Sequence, residues 1–328
     1  MSSYKIDRRI KKRDLRTVFM LFAVMALGLG ASACQPVETP VEEETPDLAP
    51  TATWAPIRTN TPTATSVPTI TLTSGLGVGS TQVSGQDGMI QAYVPAGEFE
   101  MGSLDEEGDE QPLHVVYLDA FWIDQTEVTN VMFANFLNEM GNQVEGGATW
   151  LDAIKWAALI EYQGGVWKPK EDMENYPVVE VTWYGAHAYC EWAERRLPTE
   201  AEWEKAARGT DGRTYPWGEG IECIHAQFGS CGGGLLPVGI LPGGASPYDA
   251  LDMGGNVWEF VSDTYLYHYY ETSPHENPWY IESGDGKVRR GGAYDSDVSD
   301  VRAARRGSFW PGESSPTIGF RCVLSAAP

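Results

Sequence analysis

The sequence predicts an α+β fold in which one domain spans residues 86–328 and much of the chain is irregular. Eleven of the twelve tryptophans lie in that range, which gives enough apolar surface for one sizeable core. Glycine is dense throughout, with 36 residues in the chain, and regular hydrophobic periodicity is confined to patches. Short strands and a few helices should therefore alternate with long loops.

Two stretches near the start of this domain have the composition of strands. AYVPAGEFEMGS predicts two short strands separated by Pro95, Ala96 and Gly97. HVVYLDAFWID predicts a strand pair, because apolar and polar residues alternate through part of it. The domain should therefore begin with β structure.

Three helices are predicted further along the chain. Thr129 is placed to cap a first helix whose apolar residues form one stripe: Met132, Phe133, Phe136, Leu137 and Met140. A second helix should cover WYGAHAYCEWAERR, residues 183–196. In RLPTEAEWEKAARG, Thr199 and Glu202 have the spacing of a capping box, and Gly209 follows the last turn. The third helix therefore has the best-defined ends.

The first 33 residues have the pattern of a signal peptide. Seven Lys or Arg residues and two acidic ones precede an apolar run at residues 18–31, which is too short to span a bilayer comfortably. The following ASAC resembles the lipobox of bacterial lipoproteins, whose cysteine, here Cys34, becomes lipidated. The prediction is a lipid anchor on Cys34 at the extracytoplasmic face of the cell membrane. The alternative is an ordinary secretory peptide that leaves Cys34 incidental.

The charge of the chain limits its partners. Removing residues 1–33, which carry a net charge of +5, would change the formal net charge from −23 to −28. Such an excess of acidic residues excludes nucleic acid as an expected partner and gives no reason to expect attraction to anionic lipid. The chain should be soluble and self-repelling.

Residues 34–85 have a different composition from the domain that follows. They are rich in Pro, Thr and Glu and carry few large apolar groups, so they cannot bury enough surface to offset their ordering entropy. We predict a disordered tether that lifts the domain off the membrane. The alternative is an irregular arm packed on the domain.

A set of seven motifs in order identifies a family resemblance that covers nearly all of residues 91–324. The chain resembles the formylglycine-generating enzymes, also called sulfatase-modifying factors. The resemblance implies a formylglycine-generating-enzyme-like, C-type-lectin-related single domain with little regular secondary structure. It also implies the family's activity, which converts a sulfatase cysteine to formylglycine with O2 and a copper ion held by two thiolates. The motifs are VPAGEFEMGS, FWIDQTEVTN, PVVEVTWYGAHAYCEWAERRLPTEAEWEKAARG, YPWG, SPYDALDMGGNVWEF, RRGGAY and IGFRC.

Four cysteines remain beyond Cys34, an even number that suits an oxidising compartment and allows three pairings. The resemblance implies a disulfide between Cys190 and Cys322, which leaves Cys223 and Cys231 as a local pair. The alternative for the local pair is a metal-binding or reactive thiol pair, although C-x7-C is not a zinc spacing.

The stretch GGNVWEF, residues 254–260, raises the question of a metal. The resemblance implies a structural calcium ion here, with ligands from the Asn256 side chain, the Val257 carbonyl and the Glu259 carboxylate. Calcium prefers such hard oxygen ligands. In the alternative, Asn256 caps a turn and Glu259 pairs with an arginine at position 302, 305 or 306. A second calcium site is not expected, because Gln227 replaces the family's asparagine.

Other chemistry-bearing stretches give weaker signals. The acidic run SLDEEGDEQ is interpreted as a solvated loop, and the five histidines show no ligand spacing, so a catalytic iron or zinc centre has no support. The aromatic stretch YLYHYYETSPHENPWY, residues 265–280, could line a ligand surface, and packing explains it equally well.

The two reactive cysteines of the enzymes have no counterpart in this sequence. Counted from the aromatic residue of the RRGGAY motif, Tyr294, their positions fall on Ser296 and Val301, and neither can supply a thiolate. Because thiolates select Cu(I), copper is not expected. The sequence therefore predicts a binding or accessory protein with an unknown protein or small ligand. The alternative is a formylglycine-generating or other oxidase acting on an extracytoplasmic protein.

Overall fold

The structure is a computed structural model that describes residues 75–104, 106–284 and 286–326. The predicted signal peptide, Cys34 and most of the predicted tether lie outside this range. Among the described residues, no helix has the length and apolar character needed to cross a bilayer.

Three α-helices lie in the described part of the chain: α1 (Asn130–Met140), α2 (Trp183–Trp192) and α3 (Glu200–Arg208). Each begins after a threonine whose hydroxyl accepts a hydrogen bond from a backbone N–H three residues on. At α3, Glu202 also accepts from the N–H of Thr199, so the predicted capping box is confirmed. Gly209 ends the helix with a φ of 69°, as predicted for a residue that needs the left-handed region.

The second helix ends four residues before the predicted boundary. After Trp192 the chain turns, with Glu194 at a φ of 58°. Arg196 then exchanges backbone hydrogen bonds with Val323 near the C-terminus. Because Arg196 pairs with this distant residue, the end of the segment that local periodicity assigned to the helix is not helical.

The described residues also form fourteen short strands. In chain order they are β1 (Thr81–Val83), β2 (Ile90–Val94), β3 (Gly97–Met101), β4 (His114–Leu118), β5 (Phe121–Asp124), β6 (Val144–Glu145), β7 (Ala148–Thr149), β8 (Ile160–Gln163), β9 (Val166–Pro169), β10 (Trp258–Thr264), β11 (Lys287–Arg290), β12 (Arg306–Phe309), β13 (Ile318–Phe320) and β14 (Val323–Ser325). With three helices, these strands give the α+β class with little regular structure that the sequence predicted.

The strands form two four-stranded sheets and three two-stranded ladders. One sheet has the order β1-β2-β5-β14, and the other has the order β12-β11-β10-β13. The predicted strands of HVVYLDAFWID exist, but they do not pair with each other: β4 pairs with β3, and β5 with β2 and β14. All four residues of β5 are buried, because it is an inner strand. Since β1 pairs with β2, the domain begins before residue 86.

Two hydrophobic clusters meet at β10. Phe260 belongs to the cluster built on α1 and α2, and the adjacent Val261 belongs to the cluster built on α3. This follows from strand geometry, since neighbouring side chains point to opposite faces of a sheet. The strand β10 also carries the end of the GGNVWEF stretch, so the predicted metal loop runs directly into the core.

Both predicted disulfides are present. Cys190 of α2 bonds to Cys322, which lies immediately before β14, and Cys223 bonds to Cys231. The first joins a helix to the C-terminal strand across a sequence separation of 132 residues. The second closes a local loop.

Candidate functional site

Three loops from distant parts of the sequence converge through backbone hydrogen bonds. They are residues 226–231, 254–256 and 291–301. Asn256 donates its N–H to the carbonyl of Gln227 at 2.8 Å, and Tyr294 donates to the carbonyl of Asn256 at 2.9 Å. Gly229 donates to the carbonyl of Ser296 at 2.9 Å. The loop of the GGNVWEF motif therefore lies between the local disulfide loop and the segment that replaces the reactive cysteines. We call this region the three-loop site.

Glycine is required where the first two loops meet. A Cβ atom at Gly255 would lie 2.2 Å from the carbonyl oxygen of Gln227, and Gly255 has a φ of 87°. Any other residue would separate the two backbones. The neighbouring Asn256 also adopts a positive φ, 59°, a conformation that asparagine tolerates better than most residues.

Ser296 and Val301, on which the count from Tyr294 places the reactive cysteines, both make contacts within the protein. The Ser296 hydroxyl accepts a hydrogen bond from the N–H of Ala293 at 3.0 Å. Val301 is fully buried and packs in a small cluster with Tyr215, Ala226 and Phe228. All four cysteines in the described part of the chain are in disulfides. The residues present do not fit a copper ion held by two thiolates.

The predicted calcium ligands have protein partners. The Asn256 side-chain oxygen accepts from the N–H of Leu236 at 3.0 Å, and its nitrogen donates to Glu127 at 2.9 Å. Both Glu259 oxygens accept from Arg321 at 2.7 Å, and one also accepts from the Trp203 indole at 2.9 Å. Within the described residues, no three His, Cys, Asp or Glu side chains form a group able to hold a metal. Three of the roughly four acceptor positions of the Glu259 carboxylate are therefore already occupied.

The arginine that pairs with Glu259 is not one of the three named in the sequence-based alternative. Those three are engaged elsewhere: Arg302 with Glu110, Arg305 with Asp300 and Arg306 with Glu200. The partner is Arg321 of the IGFRC motif, because β10 and β13 run parallel and pair Glu259 with Gly319. Local sequence could not reveal this contact, since 62 residues separate the two side chains.

Two acidic residues that the sequence analysis missed lie beside this pair. Glu127 is fully buried, and burial together with the nearby Asp252 carboxylate raises its pKa well above the usual range. Burial likewise raises the pKa of Asp252, whose carboxylate accepts from the N–H of Gly239 at 2.6 Å. One oxygen of Glu127 has no hydrogen-bond partner among the described residues. The cluster thus holds three carboxylates near the single guanidinium of Arg321.

Gln227, the residue that makes a second calcium site doubtful, hydrogen-bonds within its own loop. Its amide nitrogen donates to the carbonyls of Gly232 at 2.7 Å and Gly234 at 3.0 Å. These two carbonyls therefore already have protein donors. A short asparagine in place of Gln227 would not reach as far.

The acidic run is only partly a solvated loop, which corrects the sequence interpretation. Glu106 and Glu107 are exposed, whereas Asp109 and Glu110 are buried. Glu110 accepts two hydrogen bonds of 2.8 Å from Arg302. Glu110 is thus neutralised by a distant arginine, whereas the Asp109 carboxylate accepts from the Tyr265 hydroxyl at 2.6 Å.

The aromatic stretch of residues 265–280 divides between packing and a groove. Tyr269 and Tyr270 are buried in the α3 cluster, whereas Trp279 is 56% exposed. Trp279 lines a groove of about 780 Å3 together with Tyr93, His187 and Asn277. No residue of the three-loop site lines this groove. The two regions are separate candidates for ligand binding.

Comparison with known proteins identifies the family. The model of the sulfatase-modifying factor enzyme 1-like domain matches residues 79–326. The serine/threonine-protein kinase Pkn1 of Chlamydia caviae is 38% identical over 234 residues, which are 70% of this chain and only 37% of the kinase. The formylglycine-generating enzyme of Streptomyces coelicolor is 35% identical over 280 residues, covering 72% of this chain and 89% of the enzyme.

Two further relatives bear on activity and fold. The mouse protein named inactive Cα-formylglycine-generating enzyme 2 is 30% identical over 274 residues, covering 71% of this chain and 85% of its own length. The structure of PvdO from Pseudomonas aeruginosa has a TM-score of 0.62 and 25% identity, and covers 76% of this chain and all of PvdO. The chain belongs to the sulfatase-modifying factor family.

Proposed function

We propose that this chain is a member of the family that binds a protein or small ligand without oxidising it. The observation that carries the proposal lies at the two thiol positions, where Ser296 bonds to the backbone and Val301 is buried. Without a thiolate pair the site has no soft ligands for Cu(I). The mouse relative named as inactive supports the view that the fold is used without the oxidase activity.

The second candidate is oxidation of an extracytoplasmic protein. It is favoured by the 35% identity to the Streptomyces coelicolor enzyme, which extends over 89% of that enzyme. An oxidase built on this chain would need a metal site other than two thiolates at positions 296 and 301.

An activity assay separates these candidates. We expect the full-length protein, incubated with copper and a peptide carrying the sulfatase C-x-P-x-R motif, to produce no formylglycine by mass spectrometry. The Streptomyces coelicolor enzyme under the same conditions is the positive control. A Ser296→Cys variant should remain inactive, because Val301 still occupies the second position. Multiple turnovers by the unmodified protein would overturn the binding proposal and favour the oxidase.

We also propose that the protein acts at the extracytoplasmic face of the membrane, attached through a lipid on Cys34. This rests on the basic and apolar pattern of residues 1–33 and on the ASAC stretch. The negative charge of the chain favours a role away from nucleic acid and anionic lipid.

Calcium binding at the GGNVWEF loop stays a prediction, and we propose a direct measurement. If Asn256, Val257 and Glu259 hold the ion, calcium should raise Tm relative to chelator, because a ligand stabilises the state that binds it. Glu259→Gln should abolish that difference, although its Tm will be lower in both conditions since it also weakens the pair with Arg321. Equal Tm values with calcium and with chelator for the unmodified protein would exclude the site.

A further inference from the structure

Arg289 differs from the other arginines of the domain. The described part of the chain contains ten arginines, and nine of them lie within 4.0 Å of a carboxylate oxygen: Arg195, Arg196, Arg208, Arg213, Arg290, Arg302, Arg305, Arg306 and Arg321. The Arg289 side chain has neither an ion pair nor a hydrogen bond to any described residue. In a chain with a formal net charge of −23, an arginine without a carboxylate partner is unexpected.

Aromatic residues pack against the Arg289 side chain but do not accept hydrogen bonds from its guanidinium. Its guanidinium carbon lies 4.5 Å from the ring centre of Trp258 and 5.6 Å from that of Phe309, both within cation–π range. The Nε atom is buried and has no partner among the described residues, although the residue as a whole is only half-buried. Burial lowers the pKa of the guanidinium, yet an arginine keeps its proton in proteins. The result is a positioned cation whose donors have no partner among the described residues.

The side chain of Arg289 lies over a glycine on the edge strand of its sheet. Arg289 of β11 is paired directly with Gly307 of β12, and a Cβ atom at Gly307 would meet its Nε at 3.0 Å and its Cγ at 3.2 Å. Gly307 therefore allows the Arg289 side chain to lie close against the backbone of the edge strand. A larger residue at position 307 would displace that side chain.

The edge formed by β12 is available for pairing. In the sheet order β12-β11-β10-β13, β12 has a partner on one side only, and the described residues make no backbone hydrogen bond to its other side. Trp310, which follows β12 directly, is 64% exposed. An unpaired edge with an adjacent exposed aromatic residue is suited to an extended peptide, which supplies main-chain hydrogen bonds and fits side chains into nearby openings.

We propose that β12 binds an extended protein segment carrying Asp or Glu, and that its carboxylate pairs with Arg289, whose side chain lies against Gly307. Adjacent strands lie about 4.8 Å apart, so the segment would run roughly 10 Å from β11. An arginine and a glutamate side chain together span that gap.

The chemistry favours a carboxylate over a phosphate. A planar guanidinium binds a planar carboxylate through two parallel hydrogen bonds. The charged groups that act on Arg289 are the acidic Asp295 and Asp300 and the basic Arg305. The two acidic groups would repel a dianion more strongly than a monoanion. This inference rests on the proposed binding function, since it names the ligand class beside the three-loop site. The copper assay and the binding assay below have separate readouts, so either proposal can fail alone.

The test compares two peptides that differ in one group. The acidic probe is acetyl-STVETVS-amide, and its control carries Gln in place of Glu. We expect the acidic peptide to bind the full-length protein roughly tenfold or more tightly than the control by calorimetry, because charge-assisted hydrogen bonds are about twice as strong as neutral ones. The acidic peptide alone should shift the Nε–Hε signal of Arg289 in a nitrogen–proton correlation spectrum. Equal affinities, or no shift of that signal, would overturn the proposal.

Three variants locate the effect. Arg289→Gln should remove the difference between the two peptides, and Gly307→Val should reduce it while keeping the charge. Arg213→Gln is the matched control, because Arg213 pairs with the exposed Asp211 and should keep the full difference. A preference for the acidic peptide that survives in both Arg289→Gln and Gly307→Val would place its binding elsewhere on the surface and refute the inference.

Discussion

Replacing both Cys190 and Cys322 by alanine should lower the free energy of unfolding by roughly 5 kcal/mol, as the chain-entropy relation gives for a loop of this length. The disulfide joins residues 132 apart, so its loss frees most of the domain in the unfolded state. Both cysteines are fully buried, so the removed sulfur atoms also leave unfilled space in the core. The measurement is equilibrium denaturant unfolding without reductant, read from the midpoint and slope.

The local disulfide supplies the matched control. Cys223 and Cys231 are only 8 residues apart, so the same relation gives roughly 2 to 3 kcal/mol for replacing both by alanine. The order of the two losses is the sharper prediction, since the two pairs differ mainly in loop length and burial. A loss for the local pair equal to or greater than that for the long-range pair would contradict it.

The helix ends were predictable because their contacts are local. The capping box of α3 joins Thr199 and Glu202, three residues apart, and Gly209 ends the same helix. Any chain with this spacing would favour these bonds whatever its tertiary structure. The helix α2 was predicted to extend to residue 196, but it ends at Trp192. The backbone of Arg196 pairs instead with Val323, which is too distant in sequence for local periodicity to reveal.

The buried ion pairs could not be predicted from the sequence, because their partners are also far apart along the chain. Glu110 reaches Arg302 across 192 residues, and Glu259 reaches Arg321 across 62. Spacing rules interpret an acidic run as solvated because nearby residues supply no partner. Only the strand order shows which arginine lies opposite which acid.

At the candidate site, too, some features could be predicted from the sequence and others depended on tertiary contacts. The absence of cysteine at positions 296 and 301 needed only the motif and a count from Tyr294. That Arg289 has no carboxylate partner among the described residues depends on the whole fold, because the strand order decides which arginine each carboxylate meets. Arg290 follows Arg289 in the same strand, β11. In contrast to Arg289, it is fully buried and pairs with Glu200 and Glu204.

Glu204→Gln should destabilise the protein by about 3 to 5 kcal/mol, the usual cost of breaking a buried ion pair by removing one partner. Glu204 is fully buried and accepts from Arg290 at 2.6 Å and from Arg208 at 2.8 Å. It also accepts from the N–H of Gly102 at 2.8 Å. A glutamine keeps one oxygen but leaves the charges of two buried arginines without their shared carboxylate.

The pH dependence of that loss has a definite sign. Burial alone would raise the pKa of Glu204, but Arg290 and Arg208 outweigh it and hold the pKa below the ordinary 4.5. A carboxyl group with a lowered pKa contributes stability above its unfolded pKa and loses that contribution as the pH falls through its folded pKa. The difference between the unmodified protein and Glu204→Gln should therefore be constant from pH 7 to about pH 5 and shrink in more acidic solution.

Asp211→Asn is the control for this experiment. Asp211 also pairs with an arginine, Arg213 at 2.6 Å, but its side chain is 58% exposed. Exposed ion pairs contribute about 0 to 1 kcal/mol, so this variant should unfold close to the unmodified protein. Denaturant unfolding of both variants at several pH values gives the comparison. If Glu204→Gln cost no more than Asp211→Asn at pH 7, burial of the carboxylate between two arginines would not stabilise the fold in the way its contacts indicate.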